Sequence, residues 1–109
     1  MRDNVKGGAM TETTFLILLA LYNPNHGYGI IQFIEQETGG RVRLGAGTLY
    51  GALETFQKRN WITPLEEPGD GRKKKYVITE LGKESARLEL NRVNEIQALA
   101  SKIVGGEQS

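Results

Sequence analysis

The feature that most constrains this chain lies just past its middle. Residues 48–59 carry Leu49, Ala52, Leu53 and Phe56 at i, i+3, i+4 and i+7, the one-sided apolar spacing of an amphipathic helix. Asn60 follows, a residue that tolerates the left-handed conformation at a helix C-terminus. Two strand-like runs come next, 61–66 and 73–78, with Pro68-Gly69-Asp70-Gly71 between them, which is hairpin-turn chemistry. Pro64 has no N–H to give to a ladder, so the first strand is an edge at that point.

Two helices are expected upstream. Residues 10–22 are apolar nearly all round: Leu16, Leu19 and Ala20 make one stripe, and Phe15, Leu18, Leu21 and Tyr22 widen it, so this helix is buried on most sides. Asn23-Pro24-Asn25 stops it. Residues 27–38 form the second helix, with Gly27, Ile30, Ile31, Ile34 and Thr38 on its inner stripe and Gly39-Gly40 at its end. Three helices followed by a two-stranded hairpin is the order of a winged helix-turn-helix, in which the second helix of the pair enters the DNA major groove and the hairpin, or wing, reaches the flanking phosphates.

Composition agrees with one small domain. The chain has 109 residues, 39% of them hydrophobic and 25% charged, as expected of a soluble globular chain. It has no cysteine, which excludes disulfides, thiolate metal sites and a cysteine nucleophile. The longest apolar run, 15–21, is far short of the ~20 residues a membrane helix needs. The first ten residues do not resemble a signal peptide, so a cytoplasmic location is expected. The net charge of +1 is unevenly spread: residues 1–40 carry −2, residues 41–75 carry +4 and residues 76–109 carry −1. A basic middle third favours a polyanion partner.

Thr79 is a suitable N-cap for a last helix over residues 80–104, ended by Gly105-Gly106. Its apolar residues spread over roughly 200° of the wheel, more than one small domain covers. A second copy of the chain would cover it. A homodimer is therefore expected, with Phe15, Leu18, Tyr22, Leu88, Arg92, Val93, Ile96, Leu99 and Ile103 at the interface. Glu89, Arg92 and Gln97 fall inside the apolar arc, as pairs across the interface or contacts to a bound ligand. The fold class is thus mainly α with a small β-hairpin (α+β), a winged helix-turn-helix with a long C-terminal dimerisation helix. The expected division is a loose arm at 1–9, a DNA-binding unit at 10–79, the helix at 80–104 and a flexible tail at 105–109.

Several strings together resemble the PadR-like family of winged helix-turn-helix transcriptional regulators. They are His26-Gly27-Tyr28-Gly29, the run Leu44 to Leu53 containing Gly47-Thr48-Leu49-Tyr50, Trp61-Ile62, Arg72-Lys73-Lys74-Lys75-Tyr76 and Thr79-Glu80-Leu81-Gly82. The similarity covers residues 10–104. It implies a dimeric repressor of the short subfamily, in which a single C-terminal helix forms the dimer interface. Members commonly control detoxification genes and are released from their operator by an effector molecule. The chain departs from the family in two places. Asn60 stands where many members have glycine, and no aromatic residue follows Tyr76. The last helix therefore cannot sandwich a planar drug between tryptophans, as in some members. A small hydrophobic or aromatic effector would instead meet aliphatic side chains or first-helix aromatics, giving Phe15, Tyr22, Glu89, Arg92 and Ile96 as its candidates.

The candidate DNA contacts are as follows. Arg72, Lys73, Lys74 and Lys75 follow the turn of the wing; Lys73 and Lys75 share one strand face, Lys74 takes the other and Arg72 is nearest the tip. Tyr50 flanks the outer face of the third helix as a phosphate donor. Gly51 on that face lets the backbone approach closely, at a cost of about 1 kcal/mol relative to alanine. Thr48 is a helix cap, a phosphate contact or both, and Lys58 reaches the DNA backbone. Arg41 and Arg43 in the connector reach phosphate, or one of them serves as an ion-pair partner. His26, Tyr28 and Trp61 are expected to be structural: a helix start, core, and packing at the wing base. A lone histidine does not build a metal site, so neither metal nor cofactor is expected. No paired carboxylates or nucleophile–base pair mark an enzyme. The competing reading is a winged-helix module for protein–protein assembly without specific DNA binding.

Overall fold

Thr11 starts the first helix by accepting the Thr14 N–H on its hydroxyl at 3.1 Å. The computed structural model describes residues 8–66 and 74–107. In order they form α1 (Glu12–Ala20), β1 (Asn25–His26), α2 (Gly27–Glu37), α3 (Ala46–Lys58), β2 (Ile62–Leu65), β3 (Lys75–Ile78) and α4 (Glu80–Glu107). The fold is the α+β winged helix-turn-helix, with one element more than the sequence suggested.

That element is β1, only two residues long. The sheet is antiparallel in the order β1-β3-β2, with Asn25 opposite Tyr76 and His26 opposite Lys75. On the other side of β3, Ile62 faces Ile78 and Leu65 faces Lys75. The strand β2 is an edge, which is where Pro64 costs no ladder bond. Two residues carry no periodicity, so β1 left no trace in the pattern. His26 then turns the chain into α2 as its N-cap, its Nδ1 accepting the Gly29 N–H at 3.2 Å.

The helix ends use local chemistry. Asn60 has φ 62°, and the bonds Asn60 N–H to Gln57 C=O (3.0 Å) and Trp61 N–H to Phe56 C=O (2.9 Å) make a Schellman motif that closes α3. Its hydrophobic partner is present too, with the Phe56 and Trp61 rings 5.6 Å apart. Gly39 and Gly40 close α2 in the same way, through bonds to the carbonyls of Gln36 and Glu35. By contrast, Gly105 and Gly106 do not end α4, which continues to Glu107. Glycine in a helix costs about 1 kcal/mol without forbidding it, and here that was not enough to stop the ladder.

The core joins Ile17, Leu18 and Leu21 from the first helix and its end to Ile30, Ile34, Leu49, Leu53 and Phe56, with Ile62, Ile78 and Ala86 closing it. The stripes of α2 and α3 face as their spacing predicts. That of α1 does not: Ile17, Leu18, Ala20 and Leu21 are inside, while Leu19 is 37% exposed. A helix apolar on every side has no direction written in it, and contact with α2, α3 and α4 decides which face is buried. Leu18 is therefore a core residue at 0% exposure, which corrects its expected place at a dimer interface. Tyr28, expected in the core, is instead exposed.

Thr79 ties the sheet to α4. Its N–H donates to the Trp61 carbonyl at 2.8 Å and its hydroxyl donates to the Asn60 carbonyl at 2.7 Å. The same hydroxyl accepts the Gly82 N–H at 3.0 Å, the capping role expected of it. At Gly82 the helix passes so close to the Trp61 carbonyl that a Cβ would collide with it. One turn beyond Ala86, Glu89 forms a second tether. Its carboxylate, on a residue only 4% exposed, accepts the Met10 N–H at 3.2 Å and Arg92 Nε at 3.0 Å, and Arg92 Nη2 closes a bidentate pair. The chain just before α1 is thereby held to the middle of α4.

The hydrogen bonds from Arg92 hold the Glu89 carboxyl below its usual range against the opposing effect of burial, with the Met10 N–H and the Arg92 charge adding to the lowering. Such a carboxylate stabilises the fold fully above the unfolded value of about 4.3, and the contribution is lost as pH falls through the lower folded value. Glu89→Gln is expected to cost about 1–3 kcal/mol at pH 7. The stability gap to the unmodified chain should close as urea titrations move from pH 5 down toward pH 3. A gap that stays constant over that range contradicts the tether.

Candidate nucleic-acid interface

The site is built on α3, whose buried stripe of Leu49, Leu53 and Phe56 leaves the opposite face open. Gly47, Thr48, Gly51, Glu54 and Lys58 are all exposed there. Nothing lies within 4 Å of where a Cβ on Gly51 would stand, so the backbone of α3 is bare on that side. Thr48 sits inside the helix rather than at its cap. The helix starts at Ala46, and Gly45 is the N-cap with no side-chain bond, so capping is not the role of Thr48.

Tyr50 occupies the corner between α3 and α2. Its ring is 55% exposed, and its hydroxyl lies against Gly27, where a Cβ would stand 2.5 Å from the oxygen. Gly27 is therefore the seat of Tyr50, a role the sequence pattern alone did not suggest, although both belong to strings singled out there. The sheet register brings the wing to the same corner. His26, the residue before Gly27, faces Lys75 across the β1–β3 ladder, and Lys74 is exposed beside it. Arg72 and Lys73, the rest of the basic run, lie outside the described residues.

Three other expected contacts each have a carboxylate nearby. Arg41 pairs with Glu12, Arg43 Nε lies 3.4 Å from Glu35, and Lys58 Nζ lies 3.7 Å from Glu54 one turn back. The hydrogen bond from Arg41 lowers the Glu12 carboxyl below its usual range. All three pairs are exposed and weak, so these cations can exchange partners at little cost. Trp61 packs at the base of the wing as expected, with Arg59 5.2 Å above its ring.

The residues expected at a second interface lie in different settings. Leu88, Val93, Ile96, Leu99 and Ile103 are exposed along α4, and Tyr22 is exposed at the end of α1 with Lys83 Nζ 6.0 Å over its ring. Phe15 is half-buried against the core. Arg92 and Glu89, by contrast, are engaged with each other within one chain. Among the described residues, no helix is long and apolar enough to cross a membrane.

A three-helix core, a small sheet with a basic strand and a bare-faced second helix of the pair define a winged helix-turn-helix protein. The model of the transcriptional regulator PadR-like family matches residues 15–88, and the chain belongs to that family. It is 42% identical over 74 residues to an uncharacterised 37.1 kDa protein in a Streptomyces fradiae transposon, a match covering 67% of this chain and 20% of that protein. The chain thus spans about a fifth of the length of that curated relative. In fold it resembles a PadR-family transcription regulator from Clostridium difficile, with TM-score 0.71 and 23% identity over 86% of this chain and 99% of that one. It also resembles Bacillus subtilis PadR, solved in complex with operator DNA, with TM-score 0.61 and 23% identity over 73% of this chain and 47% of that one.

Gly27→Ala tests the seat of Tyr50. Alanine favours the helix by up to about 1 kcal/mol, so thermal stability should change little. The Tyr50 ring must move, and its NMR signals should shift. Unchanged Tyr50 signals would show that the ring does not rest on Gly27.

Proposed function

We propose that this chain is a sequence-specific double-stranded-DNA-binding transcriptional regulator that acts as a homodimer in the cytoplasm, represses its target genes and is released by a small hydrophobic or aromatic effector. The observation that carries the reading is the bare outer face of α3 beside a basic strand. With Gly47 and Gly51 in the major groove, the backbone of α3 approaches base edges and Thr48 stands at the groove wall. Tyr50 donates to phosphate from its corner, while Arg41, Arg43, Lys58 and the run Arg72–Lys75 supply the charge that releases counterions. Bacillus subtilis PadR, a protein of the same fold and family, is seen with operator DNA, which supports this assignment.

In this reading residues 10–79 are the DNA-binding unit and the exposed half of α4 holds the two copies together. Five apolar side chains, Leu88, Val93, Ile96, Leu99 and Ile103, stand in solvent on that half in the single chain. A contiguous apolar face of this kind needs a cover. Phe15, Tyr22 and Ile96 remain as the effector contacts. Glu89 and Arg92 leave that set, because they are already bonded to each other within the chain.

The direct experiment is fluorescence anisotropy with DNA from upstream of the protein's own gene, against a scrambled duplex, over a salt series. Tight, salt-sensitive preference for the native fragment is expected. Equal weak binding to both would favour a winged helix with a protein partner. Neutralising Lys73 and Lys74 to glutamine should weaken binding to both duplexes and flatten the salt slope by about two. Unchanged affinity would remove the wing from the interface. Ile96→Asp places a charge in the apolar face and should convert a dimer to a monomer in sedimentation analysis. An unchanged dimer mass would take that face out of the contact.

A further inference from the structure

The most exposed large apolar side chain of the described residues is Tyr28, at 66%. It lies in the first turn of α2, on a stripe whose spacing does not call for it: Gly27, Ile30 and Ile34 are the buried positions. Its hydroxyl makes no hydrogen bond among the described residues. Gly27, the preceding residue, is overlain by the Tyr50 hydroxyl. His26, one further back, faces Lys75 across the ladder. The start of α2 that carries Tyr28 thus follows directly on the seat of Tyr50 and the strand paired with Lys75, while Tyr28 itself shares a groove with Ile31, Gln32 and Glu35 along α2.

Resting on the DNA-binding reading above, we propose that Tyr28 is a further DNA-contacting residue, donating its hydroxyl to a backbone phosphate flanking the groove that α3 enters. In helix-turn-helix docking the first helix of the pair crosses the sugar–phosphate backbone while the second enters the groove. An exposed phenol in the first turn of that crossing helix presents an O–H donor on a rigid apolar ring, which suits a phosphate oxygen flanked by sugar. The groove that continues from Tyr28 along α2 past Gln32 holds a carboxylate, Glu35, and Glu35 is engaged by Arg43 at 3.4 Å. Arg43, one of the cations proposed to reach phosphate, thus stands beside that end of the groove.

The chemistry gives the contact its own signature. A neutral donor releases no counterion, so its loss lowers affinity without changing the salt slope. A phosphate contact reads no sequence, so the loss is equal on specific and scrambled DNA. Tyr28→Phe removes only the hydroxyl from an exposed ring and should leave the thermal midpoint unchanged. It is expected to weaken binding about three- to tenfold on both duplexes, as for one hydrogen bond, with the slope of the unmodified protein. Lys74→Gln, measured alongside, should lower the slope by about one. Tyr28→Phe binding both duplexes as tightly as the unmodified protein overturns the contact and leaves the DNA-binding reading intact. A loss confined to the native fragment overturns the phosphate assignment in favour of a base contact. If the unmodified protein shows no salt-dependent binding to either duplex, the DNA-binding reading falls and the contact falls with it.

Discussion

The arrangement of this molecule depends on one threonine. Through its N–H and its hydroxyl, Thr79 holds the two carbonyls, of Asn60 and Trp61, at which α3 hands over to the sheet. Through the same hydroxyl it caps α4. These carbonyls lie where a helix ends and a strand has not yet begun, and Thr79 gives each a partner within the chain. The left-handed turn at Asn60 presents them, and the absence of a side chain at Gly82 lets α4 come close enough to use them. Hydrogen bonds over a few residues, together with Ala86 in the core and the packing of α4 on α1, thereby fix how α4 leaves the end of α3 and the sheet.

How legible this was in the sequence varied with the kind of signal each element carries. The helices α2 and α3 have one apolar stripe each, and both face as their spacing says. The first helix has apolar residues on every side, so its orientation is decided by neighbours that no local pattern reveals. That is why Leu18 is core and Leu19 partly exposed, rather than the reverse. The strand β1 is too short for any period, yet it brings the wing to the start of α2. Thr79 and Asn60 were legible because capping and left-handed turns select residue types strongly. Tyr28 was not: its aromatic ring beside the apolar stripe of α2 reads as core, and the structure leaves it exposed. Glu89 illustrates a further limit: an acidic residue in an apolar arc signals a partner, but not whether that partner lies in the same chain.

The basic residues of the proposed interface are held in an instructive state. Arg41, Arg43 and Lys58 each have an acidic neighbour at an exposed position. Such pairs add little to stability, but they keep the face from presenting a bare positive field. A protein that must leave most DNA and stay on a few sites gains from cations already balanced: contact with phosphate becomes an exchange of partners rather than a pure gain of attraction. In the proposed complex, discrimination then falls more heavily on shape and on groove contacts, where α3 offers bare backbone and a few small side chains.

The helix α4 is unbroken over 28 residues, about 42 Å at the usual rise. The fastenings to the rest of the chain described above, the Thr79 cap, the close pass at Gly82, Ala86 in the core and Glu89, all fall in its first half. The second half shares the same continuous ladder and has no hinge between itself and those fastenings. It behaves as a shaft keyed at one end. Whatever grips the free half takes hold of the orientation of α3 as well, because rotating the shaft rotates the key. One residue added between Arg92 and Ile96 would turn the apolar face by about 100° relative to α3, at almost no change in composition. The phase of this helix, more than its stickiness, is what an assembly built on it must preserve.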